Sequence, residues 1–236
     1  MTIVVPAYNE ERRLPTTLPQ VIDFAESQDY PVEVLVVDNA STDRTSDIAR
    51  EIAAEHPIVS LLFQPIRGKG AAVRKGMFEG RGEYLFMCDA DLAMPIEEAS
   101  KFLPPTLSDY DVAIASREAP GAVRHNEPWY RHLMGRVFNL IVRLLAVPGI
   151  QDTQCGFKCF RREVAHAILS VQRIDGWAFD VEILHIAQRR GYCLVEVPIH
   201  WYYGEGSRVS PLYDSWNMLR EVLRIRRNSR TGLYDE

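Results

Sequence analysis

Tyr84-Leu85-Phe86-Met87-Cys88-Asp89-Ala90-Asp91-Leu92 runs from an unbroken apolar stretch into two aspartates, and Pro95 then opens a helix-like segment. The apolar part reads as a strand, and carboxylates two residues apart share one side of an extended backbone. Set where a parallel strand ends, they point into the crevice in which open α/β sheets bind ligands. Such a pair can hold a divalent cation. Mg²⁺ takes one or two carboxylates and fills its other positions with water and substrate phosphates. The stretch therefore points to an α/β chain that handles a nucleoside diphosphate. A bare Asp-x-Asp fits a solvated loop equally well, so the rest of the chain has to decide.

Outward from this stretch the sequence alternates strand and helix. Ile3-Val4-Val5 reads as a strand, and Pro15 to Gln28 as a helix carrying Leu18, Val21, Ile22 and Ala25 at helical spacing. Val32 to Val37 is apolar almost throughout, as a parallel strand covered on both faces should be. Ser41-Thr42-Asp43 offers N-caps for a helix carrying Ile48, Ile52 and Ala53. Val59 to Phe63 is a third strand, Ala71 to Gly80 a helix behind Gly68-Lys69-Gly70, Tyr84 to Cys88 a fourth strand and Asp111 to Ala115 a fifth. This rhythm implies a mostly parallel sheet with right-handed crossovers and helices on its faces.

Beyond about residue 120 the rhythm changes. A long amphipathic helix is expected over Trp129 to Ala146, with Met134, Val137, Phe138, Ile141, Leu144 and Leu145 on one face. Helices near Arg162 to Ser170 and Asp180 to Arg190, a strand over Leu194 to Ile199, a mobile loop over Gly204-Glu205-Gly206-Ser207-Arg208 and a final helix over Tyr213 to Arg226 follow. The 236 residues suit a single domain, with a nucleotide-binding half over 1–118 and an acceptor-binding half over 119–236.

At 47% hydrophobic and 25% charged, the composition is that of an ordinary globular protein. A net charge of −5 argues against a general nucleic-acid binder. Cys88, Cys155, Cys159 and Cys193 have neither zinc nor disulfide spacing and read as reduced thiols of a cytoplasmic protein. Met1 leads directly into a strand, so no signal peptide is read, and no apolar run approaches the ~20 residues of a membrane span. The run from Phe138 to Ile150 is broken by Arg143 and Pro148.

Three loops join the aspartates at the strand ends: Pro6-Ala7-Tyr8-Asn9-Glu10-Glu11, Asp38-Asn39-Ala40-Ser41-Thr42-Asp43 and Gly68-Lys69-Gly70. Tyr8 can stack on a base, and Asp38 can accept a hydrogen bond from a base or ribose. Lys69, between two glycines, can approach a diphosphate with help from the N-terminus of the following helix. The spacing is not that of a P-loop. Each segment alone is an ordinary turn, and their agreement carries the weight.

With Arg67-Gly68-Lys69-Gly70 and Asp89-Ala90-Asp91, these segments resemble the ordered signature of family 2 glycosyltransferases with the GT-A fold. Asp152-Thr153-Gln154-Cys155-Gly156-Phe157-Lys158, Gly176-Trp177-Ala178-Phe179-Asp180-Val181-Glu182 and Val197-Pro198-Ile199-His200-Trp201 are similar to dolichyl-phosphate and polyprenyl-phosphate β-glucosyltransferases. The resemblance implies inverting transfer of glucose from UDP-glucose to a polyprenyl phosphate. It places Pro6, Tyr8, Glu10, Asp38, Lys69 and Asp89 around the nucleotide sugar and Asp89 with Asp91 on Mg²⁺ or Mn²⁺. Arg117, Arg131, Lys158 and Arg208 fall on the acceptor phosphate; Asp91, Arg117, Arg131 and Asp152 are the catalytic candidates. Two departures stand out: Asn39 where the family more often has an aspartate, and Ala93 where mannose-transferring relatives often carry a metal-ligating glutamine.

A phosphate monoester has a second pKa of about 6, so the acceptor is largely dianionic at neutral pH and needs positioning by cations more than a base. Arginine forks suit that task, which ranks Arg117 and Arg131 above any candidate base. His132, Arg136 and Arg143 form either a solvated face or a face toward anionic lipid, peripheral on the cytoplasmic side of a membrane. The rival readings are transfer of mannose or N-acetylglucosamine, to a lipid or a non-lipid acceptor, and a non-catalytic sugar-nucleotide-binding protein.

Overall fold

The computed structural model describes residues 1–204 and 211–235; the side chains of residues 138 and 211–216 lie outside that description. In chain order the elements are β1 (Thr2–Ala7), α1 (Leu14–Glu26), β2 (Glu33–Asp38), α2 (Thr45–Glu55), β3 (Val59–Phe63), α3 (Lys69–Glu79) and β4 (Tyr84–Met87). A 3-10 helix (Ile96–Phe102), β5 (Val112–Ser116), β6 (Val123–His125) and α4 (Trp129–Leu145) follow. The chain continues through β7 (Lys158–Arg161), α5 (Arg162–Ser170), α6 (Phe179–Arg189), β8 (Leu194–Pro198), β9 (His200–Tyr202) and α7 (Pro211–Arg230).

Seven strands form one sheet in the order β3-β2-β1-β4-β7-β5-β8, and β6 pairs with β9 in a small second sheet. Only β7 runs antiparallel to its neighbours β4 and β5; the other pairings of the large sheet are parallel. Alternation along the central strands divides the core. Ile3, Val5 and Phe86 face α1 and the 3-10 helix, whereas Val4, Leu85 and Met87 face α3, α5 and α6. Burying a side chain such as Phe86 contributes about 1.5–3 kcal/mol. The same alternation carries Asp89, just past β4, toward the α3 side.

Several expectations are corrected. β7 was not anticipated, because its four residues begin with a lysine and end with an arginine. α2 starts behind Arg44 without a side-chain cap, although Asp43 accepts from the Thr45 N–H at 3.0 Å. α3 begins at Lys69, two residues early, because Gly68 takes φ +141° and turns the chain directly into the helix. α4 forms where expected, but its apolar side faces outward. Trp129, Tyr130, Leu133, Val137, Leu140 and Leu144 are all more than half exposed, while Asn139, Val142 and a few neighbours face the protein. All four cysteines are free. The anticipated loop at 204–208, apart from Gly204, lies outside the described residues. Among the described residues no helix is long and apolar enough to cross a membrane.

Candidate active site

The loops after β1 and β2 are laced together before any ligand arrives. The Asn9 N–H donates to Ser41 Oγ at 3.0 Å, Asn9 Oδ1 accepts from the Thr42 N–H at 2.8 Å, and the Glu10 N–H donates to Thr45 Oγ1 at 2.7 Å. Asp38 is buried; its carboxylate accepts from the Ser41 N–H and the Ser46 hydroxyl, the latter at 2.6 Å. Pro6 stands at the end of β1 opposite Val37. The Tyr8 ring carries the Arg67 guanidinium 4.2 Å from its centroid, so a cation already occupies one face expected to stack on a base. Glu10 pairs with Arg13 at 3.0 Å.

Asn39 turns out to be built in. Its amide donates to the Ile66 carbonyl at 2.6 Å and its oxygen accepts from the Gly68 N–H at 2.7 Å. An aspartate has no donor for the first bond, so the departure from the common pattern fixes the path of the third loop.

That loop delivers Lys69 to the aspartates. Lys69 Nζ lies 2.6 Å from Asp89 Oδ1. Burial opposes its charge, yet Asp89, Asp180 and Asp91 together hold it above the ordinary lysine value. The expected role of the helix N-terminus is not supported. The Gly70 and Ala71 N–H groups both donate to the Asp175 carbonyl, at 2.8 and 3.3 Å, so the first turn of α3 is already capped. Asp89 rests against Gly156, where any Cβ would overlap its carboxylate.

Asp91 is exposed, and its Oδ1 accepts from the Ala93 N–H at 3.1 Å. Desolvation by the surrounding loops, then the Asp89 charge, raise its carboxyl above the usual range. Two carboxylates that lack enough counter-charge suit a divalent cation. Among the described residues no group of three or more His, Cys, Asp or Glu side chains could hold a metal, so this pair alone would not complete a cation's coordination.

Past the end of β5, Arg117 grips Asp152 with a fork: Nε to Oδ2 at 2.6 Å and an Nη to Oδ1 at 2.8 Å. Asp152 is fully buried. Burial alone would raise its carboxyl, but Arg117 outweighs it and holds the group at about 2. This corrects the catalytic role considered for Asp152, which has no exposed surface and does not accept protons near neutrality; it positions Arg117. Lys158 is corrected likewise. It has no exposed surface, and its ammonium donates to Asp180 at 2.5 Å and to the Cys155 carbonyl at 2.7 Å. It cannot receive an acceptor phosphate from there. Asp180 is itself buried, and desolvation raises its carboxyl despite Lys158. Arg208 lies outside the described residues.

An aromatic platform supports the remaining arginines. The Trp201 ring lies 5.4 Å from the Arg117 guanidinium and 6.0 Å from that of Arg124; the Tyr203 ring lies 5.2 Å from that of Arg131. Alternation along and just past β9 puts both rings on one side, 6.1 Å apart. The intervening Tyr202 N–H donates to the Ala93 carbonyl at 2.7 Å, which ties the platform to the aspartate loop. Sequence reading passed over Tyr203 and used Trp201 only as part of a motif. The period-2 pairing of large aromatics was the available signal.

The residues thus fall into a cluster of Lys69, Asp89 and Asp91 at the start of α3 and just past β4, and a basic cluster of Arg117, Arg124 and Arg131 on aromatic rings. Among solved structures, glucosyl-3-phosphoglycerate synthase from Mycobacterium tuberculosis in complex with UDP matches with a TM-score of 0.68 and 22% identity, over 98% of this chain and 79% of that one. A mannosyltransferase from Pyrobaculum calidifontis matches with a TM-score of 0.56 and 23% identity, over 93% and 60%. Both share the GT-A arrangement. Dolichyl-phosphate beta-glucosyltransferase of Homo sapiens is 34% identical over 99% of this chain and 77% of its own length. That of Saccharomyces cerevisiae is 31% identical over 99% and 76%. The family described as Glycosyl transferase family 2 matches residues 2–169, and this chain belongs to it.

Proposed function

We propose that the protein transfers glucose from UDP-glucose to a polyprenyl phosphate, with inversion, at a membrane surface. The observation that carries the reading is the presence of two clusters, tied together by the Tyr202 N–H bond to the Ala93 carbonyl beside Asp91. Lys69 with two aspartates matches a metal-bound diphosphate, and arginines on an aromatic platform match a phosphate monoester. The likeness to dolichyl-phosphate beta-glucosyltransferases along nearly the whole chain supports the choice of donor and acceptor.

In this reading the half over 1–118 binds the donor. Pro6, Tyr8, Glu10 and Asp38 frame the nucleotide, and Lys69 lies against the diphosphate. Asp89 and Asp91 would hold Mg²⁺ or Mn²⁺, which neutralises charge gathering on the departing diphosphate. The half over 119–236 binds the acceptor. Arg117, stiffened by Asp152 and Trp201, and Arg131, seated on Tyr203, orient a phosphate oxygen toward the anomeric carbon. The acceptor arrives ionised, so no side chain has to remove a proton. Fixed guanidinium groups in a partly desolvated site lose little in reorganisation as the new bond forms.

The outward side of α4 supports contact with a bilayer. Eight large apolar side chains from Trp129 to Leu144 are exposed on a single helix, with Arg131, Arg136 and Arg143 beside them. An amphipathic helix of this make-up lies in a membrane interface, and its arginines suit anionic headgroups. A transfer assay with Mn²⁺, a short-chain polyprenyl phosphate and a panel of nucleotide sugars tests the reading. Glucosyl lipid should form from UDP-glucose and vanish with EDTA; transfer from GDP-mannose in its place refutes the donor.

A further inference from the structure

Beside the donor lysine, a cavity of about 540 Å³ opens between α7 and the turn Gly176-Trp177 that precedes α6. Trp177, Met218, Arg220, Glu221 and Arg224 line it. Trp177 is 49% exposed although its neighbours Ala178 and Phe179 are fully buried. Its ring centroid lies 5.6 Å from Lys69 Nζ, the same atom that pairs with Asp89 at 2.6 Å. The cavity therefore begins where a diphosphate held by Lys69 would end.

Glu221 is anchored on that rim. Its Oε2 accepts from the Ala178 N–H at 3.3 Å, and a Cβ on Gly176 would stand 3.3 Å from its Oε1. A side chain at position 176 would thus crowd the carboxylate. Among the described residues Oε1 takes no hydrogen bond, and neither Arg220 nor Arg224 makes an ion pair.

We infer that this cavity seats the hexosyl ring of the nucleotide sugar, with Trp177 as its stacking wall and Glu221 and Arg220 as partners for its hydroxyls. The inference rests on the glucosyl-transfer reading and adds residues to it. A pyranose is amphipathic: its C–H face suits an indole, and its rim of hydroxyls needs fixed acceptors and donors, the usual make-up of a small-molecule site. A prenyl chain would meet two guanidinium groups and a carboxylate, and stripping water from those groups without replacing their hydrogen bonds is unfavourable.

The test compares UDP-glucose with UDP in Trp177→Ala and Trp177→Phe. Exposure of Trp177 means that the fold does not depend on it. In W177A, kcat/KM for UDP-glucose should fall about tenfold, the scale of one aromatic contact, while the inhibition constant of UDP stays at the wild-type value and W177F recovers most of the loss. A wild-type kcat/KM for UDP-glucose combined with a raised KM for polyprenyl phosphate would overturn the inference, as would a parallel loss of UDP binding. Wild-type protein that binds UDP but never releases it from UDP-glucose, whatever the acceptor, refutes the glucosyl-transfer reading itself, separately from the role of Trp177.

Discussion

Replacing Asp152 by asparagine keeps the shape of a buried side chain and removes its charge. The wild-type carboxyl sits at about 2 against an ordinary 3.8. At about 1.4 kcal/mol per pH unit, that difference contributes about 2–3 kcal/mol of stability at neutral pH. The sign follows from the depressed folded value: the contribution is complete above the unfolded value of 3.8 and disappears as pH falls through about 2. At pH 3 about half of it remains. Urea denaturation of both proteins at pH 7 and pH 3 measures this directly. D152N should lie about 2–3 kcal/mol below wild type at pH 7, and the gap should narrow to about half at pH 3. In transfer assays the variant should raise KM for polyprenyl phosphate and leave KM for UDP-glucose unchanged, because the loosened side chain is Arg117. Equal stability at pH 7, a gap that widens with acid, or a change confined to the donor would each refute the reasoning.

Four more outcomes are expected. Asp91→Ala should leave the circular dichroism spectrum intact, abolish transfer and end the rise in melting temperature that Mn²⁺ with UDP gives wild type. Trp201→Ala removes a platform under two arginines; at about 0.5–2 kcal/mol for a cation–π contact, the acceptor KM should rise about 3- to 30-fold, with Trp201→Phe intermediate. Asn39→Asp strands the Ile66 carbonyl and should cost about 1–3 kcal/mol in urea denaturation, with a higher KM for donor. Leu133→Glu with Leu144→Glu on the outer side of α4 should abolish co-sedimentation with anionic vesicles while transfer to a detergent-dispersed short-chain acceptor continues; undiminished vesicle binding would remove α4 as the contact.

The donor side was legible because its signals are local. Strands of five or six mostly apolar residues form β1, β2 and β3, and each loop that matters follows its strand directly. The acceptor side was legible in composition but not in depth. Arg117, Asp152 and Lys158 carry the same formal charges whether they line a cleft or lie beneath it, and only the packing of β5, β7 and β8 decides which. Lys158 misled because a buried lysine in a central strand is rare and is tolerated here through Asp180, 22 residues away in sequence. The apolar face of α4 misled in the other direction, since periodicity reveals that a helix has an apolar side but not what covers it. Ser41-Thr42-Asp43 was read too literally as caps: Ser41, Thr42 and Asp43 side chains all bond the loop after β1, and only Asp43 also accepts from the start of α2.

The antiparallel β7 has a consequence for how the chain reaches this shape. β4 and β5 do not pair with each other; the strand that joins them is supplied from beyond residue 157. Until that segment emerges from the ribosome, the nascent polypeptide holds one raw edge on β4 and two on β5, whose other neighbour β8 also comes later, all open to pairing with any other chain nearby. The donor-side residues therefore form no independent folding unit. A fragment ending near residue 118 should aggregate rather than bind nucleotide, and mixing it with the complementary piece should restore both order and ligand binding at once.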